Sequence, residues 1–264
     1  MASPTAEGAA GGLARARGRA RLWRRFQREG IPWYLARHYW WAYLWRAGVR
    51  FWDHPRVINA VLFGQYRRLM DTTLRRVGAA PAGRTLQLTC VYGTFALHLA
   101  RAAGPEFYLM DVAGVQLEAA RRKLNAHAGG GHLARMDAEA LAYADACFDT
   151  IVIFFLLHEL PDAARRNVLA EAVRVARPGA RLIVTEYGPV GRSHALHRRR
   201  WLRRLLAAAE PFLPGFWVQD LDELLTQAAR HAGRSISGGA ATPVFGGFYR
   251  VTDYRVGPRP GPSP

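Results

Sequence analysis

Residues 84–95 read RTLQLTCVYGTF, and this stretch decides the fold. Thr85-Leu86-Gln87-Leu88 has the character of a buried strand, residues 89–93 break it, and residues 94–103 continue as an amphipathic helix. A strand that turns straight into a helix is the opening unit of a nucleotide-binding α/β domain. Such turns are usually rich in glycine, because side chains would block the backbone's approach to a ligand. Here Thr89 and Val91 stand at two of the expected glycine positions, and only Gly93 remains.

Working outward, apolar strands are expected at 84–91, 106–112, 131–135, 148–156 and 180–187, with helices at 94–103, 114–128 and 162–176 between them. Regular alternation of this kind predicts a Rossmann-like α/β fold, a parallel sheet covered by helices with right-handed crossovers. Residues 32–77 pattern as helices, with 79–83 as a linker. Downstream, an arginine-rich helix is expected near 194–210, another near 220–231, and a β-rich stretch at 234–255 whose Gly246-Gly247 suits a closing hairpin. The chain thus divides into a basic segment (1–30) expected to be disordered, an aromatic-rich helical extension (31–80), the α/β domain (81–255) and a tail (256–264), also expected to be disordered.

Half of the 264 residues are hydrophobic, enough for one sizeable core. The net charge of +17 comes almost wholly from arginine, since Lys123 is the only lysine. Ten arginines and a single acid, Glu29, lie between Arg15 and Arg50, and six of the eight tryptophans fall between Trp23 and Trp52. Arginine mixed with aromatic rings suits the headgroup layer of a membrane, nucleic-acid stacking, or a packed helix with a solvated basic face. The membrane surface is the reading adopted, and no nucleic acid is expected. The uncharged run from Tyr39 to Trp45 falls far short of the ~20 residues a membrane-spanning helix needs. No apolar segment of the signal-peptide kind follows the arginine-rich start. The expectation is a cytoplasmic protein peripherally associated with the inner membrane. Cys90 and Cys147 fit no metal or redox spacing, and the oligomeric state is not legible.

In open α/β sheets ligands bind beyond the carboxyl ends of the strands. Asp111 closes the second strand about twenty residues after the turn, where a carboxylate can accept both hydroxyls of a ribose. Asp137 follows the third strand, either as an acid for an adenine amino group or as an N-cap before Ala138-Glu139. Val112, Ala138 and Phe155 adjoin these strand ends and complete the expected cofactor-binding set with Gln87, Thr89, Val91 and Gly93. His158, after the fourth strand, is the best-placed general base, with Glu159 and Tyr92 next. Glu186 and Tyr187 could line a substrate pocket. His194 and His197 have a spacing that can hold a metal, but Arg192 and Arg198-Arg199-Arg200 make the local field repulsive to cations, so no metal is assigned there.

Phe148-Asp149-Thr150-Ile151-Val152, the run FFLLHELP at 154–161 and Arg177-Pro178-Gly179-Ala180-Arg181-Leu182, taken with Asp111 and Asp137, are similar to the signatures of class I S-adenosylmethionine-dependent methyltransferases. That resemblance implies a seven-stranded sheet with a reversed last strand and S-adenosylmethionine across the first strands' tips. The family's D-x-G-x-G-x-G turn is met only at Gly93. More narrowly, IPWYL at 31–35, YWWAY at 39–43, LFGQYRRL at 62–69, CVYG at 90–93 and FFLLHE at 154–159 resemble the rhodoquinone biosynthesis protein family, relatives of the ubiquinone and menaquinone C-methyltransferases. This narrower resemblance implies a ubiquinone-type quinone as substrate and replacement of a ring methoxy group by an amino group. It also implies S-adenosylmethionine as amino donor, and a divalent metal such as manganese assisting. Tyr66 matches the tyrosine that caps the cofactor in quinone methyltransferases, packing against the sheet being its other reading.

Those methyltransferases carry, at the position of Gln87, an acid that holds the ammonium of the methionine moiety. An amine that attacks a quinone must be neutral, and an uncharged residue removes the bias toward ammonium. The alternative is a drifted loop that binds conventionally. Competing functions are a conventional methyltransferase acting on a quinone, lipid or RNA, and a non-catalytic membrane-binding protein of this fold.

Overall fold

The computed structural model describes residues 24–26, 28–78, 81, 83–127, 130–191 and 194–258. Segments 1–23 and 259–264, on which disorder is expected, and Arg192 lie outside the described residues.

Seven strands form one sheet: β1 (Thr85–Leu88), β2 (Phe107–Asp111), β3 (His132–Arg135), β4 (Phe148–Phe154), β5 (Ala176–Tyr187), β6 (Ser235–Val244) and β7 (Tyr249–Gly257), in the order β3-β2-β1-β4-β5-β7-β6. β1 to β5 pair in parallel, and β7 runs antiparallel to both of its neighbours. This is the Rossmann-like class I methyltransferase arrangement with its reversed strand. Leu86, Leu88, Ile151, Val152 and Ile153 are all fully buried, because parallel strands covered on both faces need no polar alternation.

Before β1 come α1 (Leu35–Tyr39, wound as a π-helix), α2 (Trp40–Tyr43), α3 (Arg46–Trp52), α4 (Pro55–Val61) and α5 (Tyr66–Val77). The crossovers are α6 (Phe95–Ala103), α7 (Gly114–His127) and α8 (Asp162–Val175). Between β5 and β6 lie α9 (Ala195–Arg198), α10 (Arg200–Ala209), α11 (Leu213–Trp217) and α12 (Leu221–His231). The chain leaves β1 toward β2 and β3 on one side, and β4 toward β5 on the other. Right-handed crossovers then place α6 and α7 on one face and α8 on the other, which opens a crevice past the carboxyl ends of β1 and β4.

Several boundaries differ from the sequence reading for local reasons. β1 stops at Leu88 because Thr89 takes a left-handed backbone, φ +64°. β5 starts at Ala176, since Ala176 pairs with Phe148 before a register shift brings Arg181 opposite Thr150. The arginine-rich helix is two helices broken at extended Arg199.

The helical extension stands over the crevice and is tied to the sheet domain by tyrosines. Tyr34 donates to Glu139 (3.1 Å), Tyr39 to Glu210 (3.0 Å) and Tyr43 to Glu159. Among the described residues no helix is long and apolar enough to cross a membrane.

Candidate active site

The turn after β1 keeps a glycine-like shape without its glycines. Thr89 holds φ +64° at a cost of about 1–2 kcal/mol for an L-residue. Its carbonyl accepts from Gln87 Nε2 (3.0 Å). Gln87 is fully buried behind the turn, with Oε1 lacking a partner. Farther along, Asp53 Oδ1 accepts the N–H of Gly93 (2.8 Å), and Lys123 Nζ bonds both that oxygen and the carbonyl of Gly93, each at 2.8 Å. The Tyr66 hydroxyl accepts the N–H groups of Thr94 (2.7 Å) and Phe95 (2.9 Å) at the start of α6 and donates to the carbonyl of Tyr92. A Cβ on Gly93 would lie 2.4 Å from that hydroxyl. The surviving glycine therefore makes room for a tyrosine.

Beyond β1 and β4 lies a cavity of ≈ 330 Å³, at the small end of the ~300–1,000 Å³ range of small-molecule sites. Tyr66, Thr89, Val91, Tyr92, Asp111, Val112, Asp137, Ala138, Phe155, His158 and Glu159 all line it, so the structure brings these sequence-predicted residues together. Gln87 and Gly93 are not in its wall. The helical extension adds Leu35, Tyr39, Trp41, Trp52, Ile58 and Leu62, and the segment after α10 adds Glu210.

Asp111 Oδ2 accepts from the N–H of Cys90 (2.7 Å) and Oδ1 from that of Ala113 (2.8 Å). Burial raises its pKa to about 6 against the pull of these N–H groups. Asp137 Oδ1 accepts from Glu139 N (2.9 Å), a capping contact, and burial raises its pKa as well.

At the other end, His158 sits in the turn after β4, its Nδ1 2.9 Å from Glu186 Oε2. Burial alone would lower its pKa, but Glu186, with help from Glu210 and Glu159, lifts it to about 9. Burial, with Glu210 and Glu186 adding and His158 opposing, pushes the Glu159 carboxyl up to about 8. Burial raises Glu210 as well. One ligand atom from each of His158, Glu159 and Glu210 lies within 4.8 Å of the others, a set that could hold a metal.

Two expected roles need correction. Glu186 is not in the wall but behind it, 0% exposed, accepting from the N–H groups of Leu157 and Tyr187 while it holds His158; Tyr187 does line the cavity. Tyr92 donates its hydroxyl to the carbonyl of Ala42 (2.8 Å) and stacks on Tyr43, and burial raises its pKa, so the hydroxyl serves the framework. His194 and His197, to which no metal is assigned, each use Nδ1 to accept a backbone N–H, from Leu196 and Gly191 respectively.

Sequence reading missed Asp53, Lys123, Glu210 and Arg165. Arg165 is 1% exposed and donates to the carbonyls of Leu157 (2.8 Å) and Leu160 (2.7 Å), bracketing His158 and Glu159. Only Lys123, as the sole lysine, and Glu210, the lone acid after an arginine-rich helix, left a signal in the sequence. Among the described residues the wall contains four carboxyl groups, on Asp111, Asp137, Glu159 and Glu210, and neither lysine nor arginine, in a chain of net charge +17.

Residues 85–179 match the family described as methyltransferase domain. The chain is 36% identical over 151 residues to the demethylmenaquinone methyltransferase of Thermus thermophilus, covering 56% of this chain and 64% of that protein. It is 32% identical over 136 residues to the ubiquinone/menaquinone biosynthesis C-methyltransferase of Vibrio campbellii, covering 50% and 52%. The chain thus spans between half and two thirds of the length of these curated relatives. In three dimensions it is similar to a SAM-dependent methyltransferase from Aquifex aeolicus, with a TM-score of 0.53 at 18% identity over 80% of this chain and 97% of that one. At that identity the likeness concerns the fold.

Proposed function

We propose that this chain, built on the class I methyltransferase fold, binds S-adenosylmethionine in the cavity beyond β1 and β4 and uses it at a membrane surface to replace a methoxy group of a ubiquinone-type quinone by an amino group. The observation that carries the reading is the set of four carboxyl groups in the wall. Among the described residues, a cavity with four carboxyl groups, whose one basic side chain, His158, is paired with buried Glu186, suits a cationic ligand inside a strongly basic protein, and a sulfonium nucleoside is one. The quinone class is supported by what the two relatives' names say they act on.

Asp111, held by the N–H groups of Cys90 and Ala113, offers its carboxylate to the ribose hydroxyls, and Asp137 keeps Oδ2 for the adenine amino group. Val112, Ala138 and Phe155 supply the apolar surface around them. When bound, S-adenosylmethionine supplies the amino group on this reading and a methyl group on the conventional one. Gln87 leaves the turn without a carboxylate that would hold that amine as ammonium.

Proton transfer falls to Glu159, which faces the cavity with a pKa of about 8, rather than to His158, which Glu186 keeps protonated in spite of burial. Glu159 accepts the proton released as the amine nitrogen bonds to the ring carbon and passes it to the departing methoxide, which leaves as methanol. The bond between that nitrogen and the amino-acid carbon then has to break to leave the ring amine, and none of these residues is assigned to that second cleavage. With its proton released, His158 would join Glu159 and Glu210 as the donors that would hold a divalent cation such as manganese; a neutral imidazole with two carboxylates suits it, and it would supply Lewis acidity toward a quinone oxygen.

Expression in a ubiquinone-containing host that lacks rhodoquinone, with mass spectrometry of the extracted quinones, tests the proposal. An amine in place of a methoxy supports it, an added methyl group supports the conventional reading, and an unchanged pool despite soluble protein counts against both. The turn is tested by Gln87→Asp with Val91→Gly: undiminished amination in that variant removes the role given to Gln87.

A further inference from the structure

We infer that α10 is a membrane-docking helix whose arginine-lined groove takes the phosphate of an anionic phospholipid. Trp201 and Leu205 lie one turn apart on one side of this helix and are 61% and 60% exposed. Leu206 packs against the core instead. Beside the exposed pair, Arg200, Arg203 and Arg204 line a shallow groove of ≈ 500 Å³ with Pro214 and Trp217. Arg203 Nε and Trp217 Nε1 are buried donors without an acceptor. Among the described residues none of the three arginines stands within ion-pair distance of a carboxylate.

Unpaired donors gathered in one groove call for an anion. The neighbouring Trp201 and Leu205 say which kind, because a bilayer takes an apolar pair into its acyl boundary and a phosphate into its headgroup layer together. A nucleic acid would satisfy the arginines and leave Leu205 in water. Trp33, 48% exposed, meets Phe212 edge-on just past the end of α10, so the apolar surface continues onto the helical extension. Ala209 and Glu210, at the end of the same helix, belong to the cavity wall. A bilayer under α10 would therefore lie beside the entrance for a lipid-soluble substrate, and in that respect the inference rests on the proposed function.

The test uses the full chain and no quinone, so its failure leaves the proposed reaction untouched, just as a failed amination assay leaves docking untouched. Co-sedimentation is measured with phosphatidylcholine vesicles and with phosphatidylcholine–phosphatidylglycerol vesicles. Strong, salt-sensitive binding to the anionic vesicles alone is expected. At ~1 kcal/mol per basic residue near an anionic surface, Arg200→Gln/Arg203→Gln/Arg204→Gln weakens it about a hundredfold. Trp201→Ala/Leu205→Ala weakens binding while leaving the circular-dichroism melt unchanged, and Leu205→Glu serves as the second variant if the alanine pair is unstable. Wild-type affinity in both arginine and apolar variants overturns the inference. So does competition by millimolar inorganic phosphate that abolishes vesicle binding, which would make free phosphate the ligand, or retention on RNA in preference to the vesicles.

Discussion

Replacing Glu186 by glutamine isolates the charge pair behind the active site. Glu186 accepts from the N–H groups of Leu157 (2.7 Å), His158 (3.3 Å) and Tyr187 (3.1 Å) and from His158 Nδ1 (2.9 Å). Glutamine keeps one oxygen for Leu157 but turns an NH2 group toward His158 and Tyr187, and the imidazole loses its counter-charge. Burial lowers the His158 pKa and Glu186 more than reverses this, from 6.5 to about 9. At ~1.4 kcal/mol per pKa unit, the net rise corresponds to roughly 3 kcal/mol. A histidine whose folded pKa is raised contributes stability that is complete below about pH 6.5 and lost as pH climbs through about 9. In metal-free protein the gap between wild type and Glu186→Gln should thus be widest near pH 6 and narrow by roughly 3 kcal/mol by about pH 9.5. For a chain of this size that is a closing of roughly 6–12 °C in melting temperature. Melts followed by circular dichroism across that window, with chelator present, measure it. The mispaired N–H groups add an offset that does not vary with pH. A gap that stays constant from pH 6 to 9.5 would refute the charge pair as the source of the elevated pKa.

Four further outcomes are expected. S-adenosylmethionine affinity, read by calorimetry, should fall as pH drops below about 6, because burial raises Asp111 to that value and protonation removes an acceptor; Asp111→Asn should bind at least ~10-fold more weakly and lose this dependence. Gly93→Ala should destabilise by about 2–4 kcal/mol, since it strains φ +82° and pushes on the hydroxyl that caps α6, while Tyr66→Phe should cost only ~1–2 kcal/mol in urea unfolding. Arg165→Leu should lower kcat more than it weakens cofactor binding, because the turn that carries His158 and Glu159 loses its brace; equal losses in both would make it a general stability residue. Chelation separates the two uses of the His158–Glu159–Glu210 cluster: amination that survives exhaustive chelation leaves Glu159 as a free base, and restoration by manganese alone assigns the cluster to a cation.

The centre of the sheet was legible because β1, β2 and β4 are buried on both faces and the helices are not, so hydrophobic runs and amphipathic runs alternate there, whereas β3 and β6 at the edges are largely exposed. Asp111, Asp137, His158 and Glu159 could be found because strand ends in a parallel sheet point at one crevice. What stayed hidden came from elements distant in the chain. Glu210 reaches the site only through the bend after α10, and Asp53 reaches Gly93 from the turn that ends α3, a position that carries no periodic mark. The roles of Glu186 and Tyr92 were misjudged for a related reason. A strand-end position says that a side chain lies near the crevice, while its hydrogen-bond partners decide whether it faces the ligand or the scaffold.

In a glycine-rich turn the local residues encode the bend themselves, and the domain carries its cofactor grip wherever it is transplanted. Here Asp53, Tyr66 and Lys123 impose the bend from outside, two of them from the helical extension. Excising residues 81–258 would discard the mould and keep the casting. The extension and the sheet have become a single inheritable unit, and any redesign of one must carry the other with it.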